Sequence, residues 1–200
     1  MYKPNEYLNK TSLSFTPKAP ILWPYLAEPD TKYSPKYQVT VVLDKKNKAH
    51  KKFMDELNKL NEEVGKDLLK SIKSGRKSYR IKEILKPQED DEGNPTGLYE
   101  LKVSTKTKPT VIDSKVKPLT DAETSKVGND SQCIVKISWK CSVATNQKTV
   151  GLVGYLALGK CVQVIDLVEY TGGDGGFGEA EGGFESSDAP ADDDTFEGDF

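Results

Sequence analysis

The 200-residue chain carries 29 Lys and Arg against 31 Asp and Glu, and its formal charge of −2 conceals a strong asymmetry. The last thirty residues hold ten of the acids and no base, which leaves 29 bases against 21 acids in the first 170: a body of +8 joined to a segment of −10. No run approaches the roughly 18 consecutive apolar residues of a membrane span. A single histidine and the absence of Cys-x-x-Cys argue against a structural zinc site.

Residues 1–20 are polar and broken by prolines, with no apolar run of signal-peptide character. Residues 21–28 (ILWPYLAE) read as a first strand, and Pro24 places it at an edge or in a bulge. Turns follow at Pro29-Asp30-Thr31 and Ser34-Pro35. Tyr37, Val39, Val41 and Leu43 then alternate with Gln38 and Thr40, the period of a half-buried strand. Phe53, Leu57, Leu60, Val64, Leu68 and Ile72 recur every three or four residues, predicting one amphipathic helix over 49–73 that ends near Ser74-Gly75. Its mixed charges read as a solvated face.

Beyond the helix come a basic cluster at 76–80 (RKSYR) and an acidic, turn-rich loop at 88–95. Strand signals then dominate. Tyr99, Leu101 and Val103 oppose Glu100, Lys102, Ser104 and Lys106, residues 110–113 form a short strand, and a polar connection runs to Asp130. Cys133, Val135, Ile137, Trp139, Cys141 and Val143 make an apolar face against Lys136, Ser138, Lys140 and Ser142. Two further apolar runs, 150–158 and 161–168, are divided by Gly159-Lys160. The three cysteines lie in these runs and read as reduced core thiols of a cytoplasmic protein.

Five to seven strands with one inserted helix predict a mainly β domain over 1–170, a small closed or partly closed barrel with the helix as cover. Periodicity alone does not separate an oligonucleotide-binding barrel from a sandwich. Residues 171–200, with eight of the sixteen glycines, cannot bury enough apolar surface to offset their ordering entropy and are expected to be a disordered acidic tail. Its Phe177, Phe184, Phe196 and Phe200 have no use in a simple solubiliser.

The even spacing of Lys102 with Lys106, and of Lys136 with Lys140, keeps each pair on one side of its strand. If the two strands are neighbours, four ammonium groups form a track for phosphates. Arg76, Lys77 and Arg80 offer a second basic group. Single-stranded nucleic acid also needs aromatic platforms, for which Tyr33, Tyr37, Tyr79 and Tyr155 are candidates. Trp139 belongs to an apolar face and is expected in the core, while Trp23 stays open between packing and stacking. Catalytic patterns are thin. Asp91 followed by Glu100-Leu101-Lys102 matches a metal-dependent nuclease only loosely. Gly75-Arg76-Lys77-Ser78 lacks the first glycine of a phosphate loop, and His50, among lysines, reads as a surface residue. No catalysis and no cofactor are expected.

The chain resembles the single-stranded DNA-binding proteins of short-tailed, T-seven-like lytic phages. Residues 24–30 (PYLAEPD) are similar to a Y-x-Y-I-A-K-P-D stretch of that family, and the strand at 37–43 followed by the helix fits as well. So do Val111-Ile112-Asp113-Ser114-Lys115, Leu167-Val168-Glu169, the glycine-rich exit, and an acidic tail closing on Asp199-Phe200. The resemblance spans nearly the whole chain, although the tail here is shorter and its acids less dense. It implies an oligonucleotide-binding barrel that coats and anneals DNA strands in replication and recombination, in the cytoplasm of the phage's host, often as a homodimer. It also implies that the tail meets the phage DNA polymerase and primase-helicase, which places partner contacts on Asp192, Asp193, Asp194, Glu197, Asp199 and Phe200. The alternative from another class is an acidic-tailed chaperone of basic proteins.

Overall fold

The computed structural model describes residues 13–32, 34–72, 78–90 and 92–170. The tail at 171–200 lies outside these, as do Tyr33, Asp91 and the Arg76–Lys77 part of the basic cluster. Among the described residues there are ten strands and two helices. The strands are β1 (Leu13–Phe15), β2 (Ala19–Asp30), β3 (Lys36–Asp44), β4 (Arg80–Ile81), β5 (Lys86–Glu89), β6 (Pro95–Thr105), β7 (Thr110–Ile112), β8 (Gln132–Ala144), β9 (Thr149–Leu156) and β10 (Lys160–Asp166). Helix α1 is Lys48–Ser71 and α2 is Asp121–Ser125. No helix among them is long and apolar enough to cross a membrane.

Five strands close on themselves. β2 pairs with β3, β3 with β6, β6 with β9, β9 with β8, and β8 returns to β2. Only the β6–β9 closure within this ring is parallel. This is the circuit of an oligonucleotide-binding barrel, with α1 inserted between its second and third strands. The thirteen residues of β8 allow one edge to serve two partners in turn: Ile137 to Ala144 pair with β9, and Gln132 to Val135 with β10. Gly159, at a φ of 75°, makes the turn between those two partners.

Alternation fills the interior. Val39, Val41, Leu43, Leu101, Val103, Val135, Ile137 and Trp139 all point inward and are buried. The Trp139 ring fits because Gly154 lies opposite; a Cβ there would meet the indole at 2.8 Å. Its Nε1–H donates to Ser14 Oγ at 2.6 Å, so the indole is both buried and satisfied, as expected of a core tryptophan. Cys133 and Cys161 are buried free thiols, and burial pushes them up to about 12 and about 11; Cys141 is half-buried and outside any disulfide.

Helix α1 presents Met54, Leu57, Val64 and Leu68 to the core, two residues shorter at its C-terminus than the apolar period suggests. Asn47 caps it by accepting from the amides of Ala49 and His50. His50 is a correction to the sequence reading: it is 5 % exposed and structural. Its Nδ1 accepts from the Asp44 amide at 3.0 Å, so Nε2 carries the proton and donates to the Lys18 carbonyl at 2.9 Å. Asn61 ties the helix to the barrel. Its side chain accepts from Leu152 N–H at 2.8 Å and donates to Lys82 O at 2.7 Å. It sits against Gly151, where φ is 145° and a Cβ would fall 2.6 Å from Asn61 Oδ1. Helix and β9 are thereby locked together, which fixes the strand that carries Tyr155.

Candidate nucleic-acid interface

The two lysine-bearing strands are not neighbours, contrary to the simplest arrangement of the pattern. β9 runs between them, because it pairs with β6 on one edge and β8 on the other. The register gives that separation a use. Tyr155 is the partner of Ser104 on β6 and of Ser138 on β8. Lys102 and Lys106 stand two residues either side of Ser104, and Lys136 and Lys140 two residues either side of Ser138. One exposed aromatic ring is thus framed by four lysines on a patch of about 10 by 13 Å, from two strand spacings and a four-residue rise.

Side-chain positions support this frame. The Lys140 ammonium lies 5.0 Å from the Tyr155 ring centre, and the Lys136 ammonium 5.7 Å from that of Phe15 on β1. Such distances are within cation–π range. None of the four lysines has an ion pair among the described residues. Lys108 does: it meets Asp121 at 2.6 Å, and that hydrogen bond holds its ammonium pKa above the usual value.

The remaining sequence candidates scatter. Tyr37 carries the inward parity of Val39 and pairs with Thr105, so its half-buried ring is at the barrel's end, not on the Tyr155 face. Tyr79 is half-buried against the core. Arg80 is exposed and pairs with Thr149, six residues along β9 from Tyr155 and so about 20 Å away. Glu100 is half-buried and pairs with Val42. Among the described residues no group of three or more His, Cys, Asp or Glu could hold a metal ion.

Two features escaped the sequence reading. Phe15 is 62 % exposed and joins the face because three residues at 13–15 add a short strand to β8. Tyr25 is exposed and stands in the same cross-strand row as Tyr155, through Gln38 and Ser104. Its signal was the prolines about it: the β2–β3 register shifts between Leu22 and Tyr25, the bulge that Pro24 implied.

The closed circuit and the inserted helix together define an oligonucleotide-binding barrel. Among solved structures, the chain is similar to the crystal structure of gp2.5, a single-stranded DNA-binding protein encoded by bacteriophage T7, with a TM-score of 0.63 and 19% identity over 88% of this chain and 98% of that one. It is similar also to the single-stranded DNA-binding protein from bacteriophage Enc34, with a TM-score of 0.58 and 17% identity over 82% and 87% of the two chains. The complex of that protein with single-stranded DNA gives a TM-score of 0.58 at 19% identity, over 82% and 91%. No family model and no curated protein matches the chain. At these identities the likeness establishes the fold.

Proposed function

We propose that this protein binds single-stranded DNA without sequence preference, through the face centred on Tyr155. The observation that carries the reading is the framing of one exposed ring by Lys102, Lys106, Lys136 and Lys140. A ring accepts any base, because every base has a π-face, and unpaired ammonium groups accept phosphates regardless of sequence. The structures of similar fold are single-stranded DNA-binding proteins, one with the strand bound, which supports the same ligand here. Residues 1–170 act as the binding domain, and no chemistry is assigned to them. Arg80 would extend the track toward the other end of β9, and Arg76, Lys77 and Tyr33, outside the described residues, are proposed as further contacts from the sequence alone.

Within this reading the protein coats and anneals strands in phage DNA replication and recombination, in the cytoplasm of the host. Residues 171–200 form an acidic tail that competes with DNA for the basic face. About thirty residues reach about 30 Å, which puts the tail at millimolar effective concentration over the face. DNA displaces the tail, freeing Asp192, Asp193, Asp194, Glu197, Asp199 and Phe200 to meet a polymerase or primase-helicase. The experiment is fluorescence anisotropy of a labelled single-stranded oligonucleotide across a salt series. Affinity is expected to fall steeply between about 50 and 300 mM salt as counterions compete at the phosphates. No binding at the low end, or an affinity flat across the series, rejects the reading.

A further inference from the structure

The same row of outward residues leads away from the lysines to a groove that the face around Tyr155 does not include. Trp23 stands there with a φ of 51°, in the left-handed region that a bulky L-residue rarely enters. Its backbone N–H donates to Asn129 Oδ1 at 2.7 Å, and the β2 bulge holds it in place. Although it is one of only two tryptophans, its side chain is 61 % exposed, whereas Trp139 is 2 % exposed. Core packing therefore does not account for a strained backbone that turns the largest apolar side chain into water.

Tyr25 and Tyr170 are exposed too and line the same groove, an open cavity of about 330 Å³ floored by Val127 and Gly128. That volume lies at the small-ligand end of the usual range. Tyr170 is anchored, its N–H donating to the Lys126 carbonyl at 2.7 Å. Among the described residues Glu28 is the sole charged one on the lining. The described lining offers a phosphate no cation, and the acidic segment at 171–200 would bring carboxylates to a carboxylate. A neutral, flat, aromatic group suits three exposed rings. Lys126 follows the lining residue Ser125 in the chain, and Lys108, paired with Asp121, lies close enough to Glu28 to feel its charge. Tyr25 connects the groove to the lysine-framed face, about 14 Å and three strand spacings from Tyr155.

We infer that the Trp23–Tyr25–Tyr170 groove is a second base-stacking station for single-stranded DNA, in which Trp23 is the platform. This rests on the reading of the Tyr155 face as a DNA site. The test follows tryptophan emission and anisotropy together as an oligonucleotide of about twenty thymidines is added to the full chain. Only Trp23 can be reached by a base, so emission is expected to be quenched in step with anisotropy. Trp23→Ala should weaken binding about tenfold with an unchanged salt slope, since no charge is removed, while Trp23→Phe should stay within about twofold of wild type. Trp23→Gly controls for folding, because glycine is at ease at this φ; it should keep its melting temperature and bind as weakly as the alanine variant. Anisotropy that rises without any change in emission, with Trp23→Ala binding normally, overturns the station and leaves the Tyr155 face intact. No rise in anisotropy for wild type at low salt sinks the underlying DNA reading instead. Quenching by a peptide of residues 171–200 that DNA does not reverse assigns the groove to the tail and overturns the inference.

Discussion

The Lys140 ammonium and the Tyr155 ring lie 5.0 Å apart on adjacent antiparallel strands, one diagonal step out of register. In the free protein the cation covers a face of the ring that a base would need. On the proposed DNA site, binding would separate the pair, the ring going to the base and the ammonium to a phosphate. Lys140→Ala and Tyr155→Ala should each weaken DNA binding, and their combination should depart from additivity by about 0.5–1 kcal/mol. A double-mutant cycle by anisotropy at one fixed salt concentration checks this, and strictly additive losses would show that the contact is not used.

Replacing Lys102, Lys106, Lys136 and Lys140 together with Ala is expected to lower affinity and to flatten the slope of log K against log salt by about 3, from four phosphate contacts on a single strand. The melting temperature should barely move, since surface substitutions typically cost under about 0.5 kcal/mol each. Normal binding by this variant would shift the DNA site to Arg76, Lys77 and Arg80.

Asn61→Ala should destabilise the fold by about 2–3 kcal/mol, because it leaves the Leu152 amide and the Lys82 carbonyl unpaired beneath the helix. Urea unfolding measures it. Gly151→Ala should act at the same joint, from a positive φ and from the side of the strand. A loss under about 0.5 kcal/mol in both variants would show that α1 is held by its apolar face alone.

Burial raises Cys133 and Cys161 to about 12 and about 11, from an ordinary 9.0. The folded state thus keeps two protons that the unfolded chain releases. Their contribution is complete below pH 9 and is lost as pH rises from there through the folded values. Stability should fall by up to about 3 kcal/mol per pH unit from the two thiols above pH 9. The Cys133→Ala/Cys161→Ala variant, though less stable at pH 7, should show a shallower decline over pH 9–11 in chemical unfolding. Identical slopes would place the alkaline transition on other groups.

A chain ending at Tyr170 should bind DNA more tightly than the full chain at low salt, and the difference should vanish as salt screens the tail. Phe200→Ala should weaken contacts with replication proteins while keeping every charge. Equal affinities of the full and shortened chains would reduce the tail to a solubiliser.

The strands and the long helix were legible because each shows its own period: Tyr37 to Leu43 in twos, Phe53 to Ile72 in threes and fours. Pairing was not, since spacing within a strand says nothing about its partner. That β9 would separate the lysine strands depends on a parallel contact between Ser104 and Tyr155, fifty-one residues apart. His50 was misread for a related reason. Its lysine neighbours suggested a wet surface, but its ring reaches Lys18, thirty-two residues back. Helix α2 could have been found, because Thr120 and Glu123 form a complete capping box. Its five residues were too few to show a period. Pro24 signalled a bulge, and only the backbone revealed that the bulge turns Trp23 outward.

Closure of the barrel has a consequence for crowding. A protein that binds side by side along a strand is brought to high local concentration with its neighbours, where open sheet edges would template pairing between molecules. Here the described strands close into a ring; outside it the seven-residue β10 lies between β8 and β7, and the four other strands, β1, β4, β5 and β7, are only two to four residues long. Their brevity leaves little backbone for another chain to grip.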